Sequence, residues 1–261
     1  MKRTLIVGNW KMNLNVHEAS VLVKQLNDHI QIHREVEVAL APSMLTLQPL
    51  SHEIDRRKFS LAAQNAYFKD EGAYTGEVSF TMLRDLVDYC IVGHSERRIF
   101  FHEGLEDVRD KVTAAIRNNI APILCIGETH QERIQGESQR VVHDQLTTAL
   151  SNLTAEDIDK VVIVYEPVWA ISTFNGIHAK PSDIKPMVDI VRNNVKELYG
   201  ATAANDARVL YGGSVDDQNV RAYLEIDGVD GVLPGAASLN YVKFSKIVDS
   251  AYKLKLDKRK K

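Results

Sequence analysis

Short apolar runs recur along this chain, spaced so that a helix fits between one and the next. They are TLIVGN, VEVALAP, FSLAAQN, YCIVGH, APILCIG, KVVIVYEP, ARVLYGG and DGVLPG: eight in all, each about a strand long and rich in β-branched residues. A strand with one face in water alternates apolar and polar residues. Near-continuous apolar runs imply burial on both faces, as in a parallel sheet covered by helices. Between most of them lie stretches of helical period, such as VHEASVLVKQLNDHI, LEDVRDKVTAAIRNN, ESQRVVHDQLTTALSNL and PSDIKPMVDIVRNNVKELYG. Strand alternating with helix in this number predicts an α/β fold, a single-domain (β/α)8 barrel. An open doubly wound sheet is the alternative, but no GxGxxG opens a helix after the first strand, where a dinucleotide fold needs it. The 261 residues show no linker, low-complexity block or composition shift, so one domain is expected over 1–261.

Composition narrows the function. The net charge is −3 with 26% charged residues, so no overall basic field draws the chain to nucleic acid. No apolar run approaches the roughly 18 residues of a membrane span, and the one in MKRTLIVGNW is too short for a signal peptide. Cys90 and Cys125 sit in apolar runs with no disulfide framework or metal spacing. Buried reduced thiols and a cytoplasmic location are expected. The basic end KLKLDKRKK, about 253–261, is expected as a frayed, solvated tail.

The functional signal is polar residues at strand ends. The first run ends in Asn9, with Lys11 just beyond; the fourth ends in His94 and the sixth in Glu166. The seventh ends in Gly212, Gly213 and Ser214, and the eighth in Gly235. In a closed parallel barrel these positions gather on the face that carries chemistry. A carboxylate, an imidazole and an ammonium, with no nucleophile triad and no metal cluster, point to proton transfer. Glu166 is placed to take a proton from a carbon next to a carbonyl, and His94 and Lys11 to stabilise the oxyanion that forms. Asn9 can orient or polarise a substrate oxygen. The GGS and PGAAS segments offer backbone N–H groups and a hydroxyl where barrels bind phosphate. The expected substrate is a small phosphorylated carbonyl compound.

Seven segments resemble the triosephosphate isomerase family: GNWKMN (8–13), QNAYFKDEGAYTGEVS (64–79), VGHSERR (92–98), CIGE (125–128), YEPVWAI (165–171), YGGSV (211–215) and DGVLPGAASL (230–239). The resemblance implies interconversion of dihydroxyacetone phosphate and D-glyceraldehyde 3-phosphate through an enediolate, in glycolysis and gluconeogenesis, with no metal or organic cofactor. It makes Glu166 the base and His94 a neutral electrophile, roles for which this family is itself the standard example. Lys11 is then the cationic substrate binder, Asn9 its neighbour and Glu96 a supporting carboxylate. Phosphate contacts fall on Ser172, Ser214, Gly235 and Ala236. A lid is implied at Pro167, Trp169, Ser172, Thr173, Phe174, Asn175 and Gly176. Thr75 matches the tip of a loop that enters a neighbouring subunit, which implies a homodimer.

Two segments depart from the family pattern. Where LVGGASL is common this chain reads LPGAASL, and an alanine at 236 would be strained by about 1 kcal/mol or more if that position required positive φ. Where PVWAIGTGKTATP is usual it reads PVWAISTFNGIHAKP, with two more residues between the prolines. The altered lid leaves two other functions open: a phosphosugar-binding barrel without catalysis, and an isomerase of a larger phosphosugar.

Overall fold

The computed structural model describes residues 2–171, 173 and 178–259. Its strands are β1 (Thr4–Asn9), β2 (Val36–Ala41), β3 (Phe59–Ala63), β4 (Tyr89–Val92), β5 (Ala121–Ile126), β6 (Val162–Tyr165), β7 (Arg208–Tyr211) and β8 (Gly231–Val232). They close in sequence order into a barrel, each neighbouring pair parallel. Helices follow on the outside, so the protein is the single-domain (β/α)8 barrel that the alternating runs predict. The longest register joins β1 to β2, from Thr4 opposite Val36 to Asn9 opposite Ala41. Although β8 is only two residues long, it pairs with both β7 and β1 and completes the closure.

Successive side chains of a strand point to opposite faces. Leu5 and Val7 of β1 therefore fill the barrel interior, beside Ile91, Cys125, Val164 and Leu210 from other strands. Ile6, between them, joins the larger core under the helices. Each such side chain, taken fully out of water, stabilises the fold by about 1.5–3 kcal/mol. The two-sided burial is why the strands read as unbroken apolar runs.

The helices begin where capping residues permit. The helix Val16–His29 buries Ala19, Leu22, Val23 and Leu26, one stripe of a helical period. Asn15 caps it: its side-chain oxygen accepts the Glu18 N–H at 3.0 Å, and the Glu18 carboxylate accepts the Asn15 N–H at 2.9 Å. Such a cap is worth about 1 kcal/mol. The helical stretch expected to end near Gly200 does break there, at φ 89°, but resumes and runs on to Asp206.

The C-terminal segment departs from expectation. The last helix spans Tyr241–Arg259, so residues 253–259 are helical and not frayed. Leu254 is buried, the Lys255 ammonium donates to the Lys2 carbonyl at 3.0 Å, and Arg259 pairs with Glu35 at 2.7 Å. Charge composition alone concealed these anchors. No described helix is long and apolar enough to cross a membrane.

Candidate active site

The chemistry-bearing residues lie just beyond the C-terminal ends of the strands. Asn9 closes β1, and Glu166 follows β6 directly. His94 comes two residues after β4, past Gly93, whose φ of +69° only glycine adopts without strain. That turn delivers His94 to the N-cap of the helix Ser95–Phe100. The SERR segment therefore opens a helix.

At this helix start, Glu166 is held from three sides. Its Oε1 lies 3.0 Å from His94 Nε2 and accepts the Ser95 hydroxyl at 3.1 Å, while Oε2 accepts the Ser95 N–H at 3.3 Å. His94 Nδ1 accepts the Glu96 N–H at 3.3 Å. Nδ1 therefore carries no proton, and Nε2 must be the protonated nitrogen of a neutral ring that donates to Glu166. A proton on Nδ1 would face the Glu96 N–H head on. This outweighs the 3.7 Å approach of Glu96 Oε2 to Nδ1, which is too long for a hydrogen bond. Glu166 is 2% exposed. Burial raises its pKa; the hydrogen bonds donated by His94 and the Ser95 amide, with the Lys11 charge, act against burial and favour the carboxylate. A buried carboxylate that stays ionised is a base out of water.

Lys11 occupies the left-handed region at φ 52°, an uncommon state for a residue with a side chain. Two side chains hold it there. Asn9 Oδ1 accepts the Lys11 N–H at 3.0 Å, and Gln64 Nε2 donates to the Lys11 carbonyl at 2.8 Å and to that of Ala41 at 2.9 Å. The Lys11 ammonium donates to Glu96 Oε1 at 2.6 Å. Glu96 is thus bound into the site and is no isolated surface pair.

Lys11, His94 and Glu166 line one cavity of 340 Å3 with Gly212, Gly213, Ser214, Gly235 and Ala236. All five strand-end clusters read from the sequence therefore meet there, the first through Lys11. Asn9 and Glu96 line an adjoining cleft of 440 Å3, which Lys11 and His94 share. Ala236 opens the 3-10 turn Ala236–Leu239 without positive φ, so the strain anticipated at this alanine does not arise. The Pro234 carbonyl accepts the Asn9 N–H at 3.0 Å and ties this loop to the end of β1. Ser214 borders the cavity, but its hydroxyl donates to the Ala170 carbonyl at 2.8 Å. His178 lines the same cavity from an exposed position. Among the described residues, no group of His, Cys, Asp and Glu is placed to hold a metal ion.

The segment after Glu166 is firmly rooted. Pro167 precedes a 3-10 turn at Val168–Ala170, and Trp169 is buried with its Nε1–H on Glu128 Oε1 at 2.8 Å. The Arg133 guanidinium stacks on the Trp169 ring at 4.3 Å. Thr173 reaches Glu96 Oε1 at 3.1 Å. The expectations placed on Ser172, Phe174, Asn175 and Gly176 fall outside the described residues. Thr75 is exposed, in the loop before Ser79.

Sequence reasoning gave no role to three of these groups. Ser95 lies within the segment VGHSERR with no role attached, yet it donates twice to Glu166, through its hydroxyl and its amide. Gln64 and Glu128 stood inside recognised segments with no function attached. Their position one or two residues from a strand end was the available signal.

The family described as triosephosphate isomerase matches residues 4–251. A triosephosphate isomerase of Ligilactobacillus salivarius is 41% identical over 240 residues, 92% of this chain and 95% of the relative. One from Caldanaerobacter subterraneus subsp. tengcongensis is 41% identical over 250 residues, 95% of this chain and 100% of the relative. One from Chloroherpeton thalassium is 41% identical over 256 residues, 96% and 100% of the two chains. With a likeness that runs the length of the barrel and takes in every strand end described above, the chain belongs to the triosephosphate isomerase family.

Proposed function

We propose that this protein interconverts dihydroxyacetone phosphate and D-glyceraldehyde 3-phosphate by proton transfer. The observation that carries the reading is the buried, ionised Glu166 carboxylate 3.0 Å from His94 Nε2, in a cavity that Lys11 also lines. The His94 N–H donates to Glu166. A substrate carbonyl oxygen takes that donor, and the carboxylate is freed to remove a proton from the adjacent carbon. The electron pair of the C–H bond moves into the enediolate, whose oxygen lies between the His94 N–H and the Lys11 charge. The proton on Glu166 then returns to the neighbouring carbon. Asn9 holds the Lys11 backbone in place. The first amides of the turn at Gly235 and Ala236, which have no partner within the turn, suit the phosphate, with Ser214 alongside. Pro167, Trp169, Ser172, Thr173, Phe174, Asn175 and Gly176 serve in this reading as the lid that excludes water. The step uses no metal or organic cofactor.

The protein acts as a homodimer in this reading. Met12, Leu45, Met82 and Phe101 are exposed, and Met12 and Phe101 line the cleft beside Lys11, which suits the Thr75 loop of a second copy. The two free, buried cysteines fit a cytoplasmic setting in glycolysis and gluconeogenesis. The test is a coupled assay with glyceraldehyde 3-phosphate. Efficient turnover that falls by about 10²–10⁴-fold in Glu166→Asp, which withdraws the base by a methylene, supports the reading. Binding without turnover by the unaltered protein overturns it.

A further inference from the structure

Thr173 touches the catalytic lysine's counter-ion, and the mechanism above gives its hydroxyl no role. Its hydroxyl donates to Glu96 Oε1 at 3.1 Å and lies 3.5 Å from the Lys11 ammonium. The same Oε1 accepts Lys11 at 2.6 Å. One carboxylate oxygen therefore carries two donors, a cation and a hydroxyl, from residues 162 positions apart in the chain.

These donors differ in what substrate does to them. An anionic substrate competes with Glu96 for the Lys11 charge. When Lys11 turns to the substrate, Glu96 keeps its own charge and loses its cation at a site only 21% exposed. A carboxylate stripped of its partner in poor solvent is costly. A hydroxyl that stays on it is a charge-assisted donor and offsets part of that cost. Glu96 Oε2 finds no substitute at His94, whose Nδ1 is already an acceptor for the Glu96 N–H.

We propose that Thr173 is a positioning residue that holds the Glu96 carboxylate while Lys11 exchanges Glu96 for the anionic substrate. The proposal rests on the triose phosphate reading of the site. Thr173 acts more strongly in the bound state than in the free one, so it favours binding through Glu96 without touching the reacting atoms.

The test is a double-mutant cycle of Thr173→Val and Glu96→Gln, read by the Kd of 2-phosphoglycolate, a two-carbon phosphorylated carboxylate, which needs no turnover. Thr173→Val weakens binding on the order of tenfold, the worth of a hydrogen bond to a charged group. It raises KM by a like factor and leaves kcat within about twofold. Thr173→Ser restores both. In the Glu96→Gln background, where no charge is stranded, Thr173→Val changes Kd by less than about twofold. Glu96→Ala provides a second cycle should the first variant not fold. An equal effect of Thr173→Val with and without the Glu96 carboxylate, or no rescue by serine, overturns the proposal. Failure of the unaltered protein to bind 2-phosphoglycolate or to isomerise triose phosphate is a different result and strikes the reaction itself.

Discussion

The two mouths of the barrel both carry charged groups, and they use them in opposite ways. At the N-terminal mouth, Arg208 of β7 donates to Glu37 of β2 at 3.1 Å and to the Tyr89 hydroxyl of β4 at 2.9 Å, and Tyr89 donates in turn to Glu37. Burial pushes the Tyr89 phenol up to about 12, so it remains a neutral donor. Beside them, Arg192 spends its guanidinium on the Gly228 and Ala204 carbonyls and on Asp230, the last at 2.7 Å. Each group satisfies another, and none lines either cavity of the opposite mouth. At the C-terminal mouth, Lys11 rests on Glu96 and His94 on Glu166, and all four border open space. Those pairs are provisional, since a ligand can replace one member of each. One closed network stabilises; the other stores donors for an anion not yet bound.

The largest test of that contrast is Arg208→Met. It leaves Glu37, at a site only 17% exposed, with no cation nearer than Arg3 at 3.9 Å, and the expected loss is about 3 kcal/mol in chemical unfolding. KM for triose phosphate stays unchanged; a raised KM would mean the two mouths are coupled. Next is Gly127→Ala at the catalytic mouth. A Cβ there would lie 2.0 Å from the Glu166 carbonyl oxygen and 2.6 Å from its carbonyl carbon, so the peptide carrying the base must shift. The expected loss is about 100-fold in kcat, measured on protein shown to be folded. Unaltered kcat would show that the base tolerates displacement.

The smallest effect is in pH. Glu166 has a lowered pKa, so its carboxylate is ionised in the native protein at and below its ordinary value of 4.5. The stability it lends is present above that value and is lost as pH falls through the native one. With a phosphorylated substrate, kcat/KM falls on the acid side near pH 6, where the phosphate dianion takes up a proton. With glyceraldehyde, which has no phosphate, that fall is absent and the acid limb lies below 4.5. An acid limb near 6 with both substrates would place an enzyme group there.

How much of this was legible follows from range. The strands were readable because two-sided burial writes itself into contiguous residues, as in TLIVGN. His94 and Glu166 were readable because a polar residue stands out at the end of an apolar run. The helix Met44–Ser51 was missed, its internal Pro49 masking the period. The grip of Ser95 on Glu166 spans 71 residues, and that of Gln64 on the Lys11 carbonyl spans 53. No local pattern encodes such pairs; only closing the barrel brings them together. The C-terminal helix was misjudged for the same reason, because Lys255 finds its carbonyl 253 residues away at Lys2.

The central claim is that Glu166 moves a proton between two carbons of a triose phosphate. It is tested most directly by incubating the protein with dihydroxyacetone phosphate in deuterium oxide and following the substrate by NMR. The expected result is deuterium entering the carbon beside the carbonyl, along with glyceraldehyde 3-phosphate, and neither event in Glu166→Gln. Substrate that binds yet keeps all its hydrogen, or exchange that persists in Glu166→Gln, would contradict it.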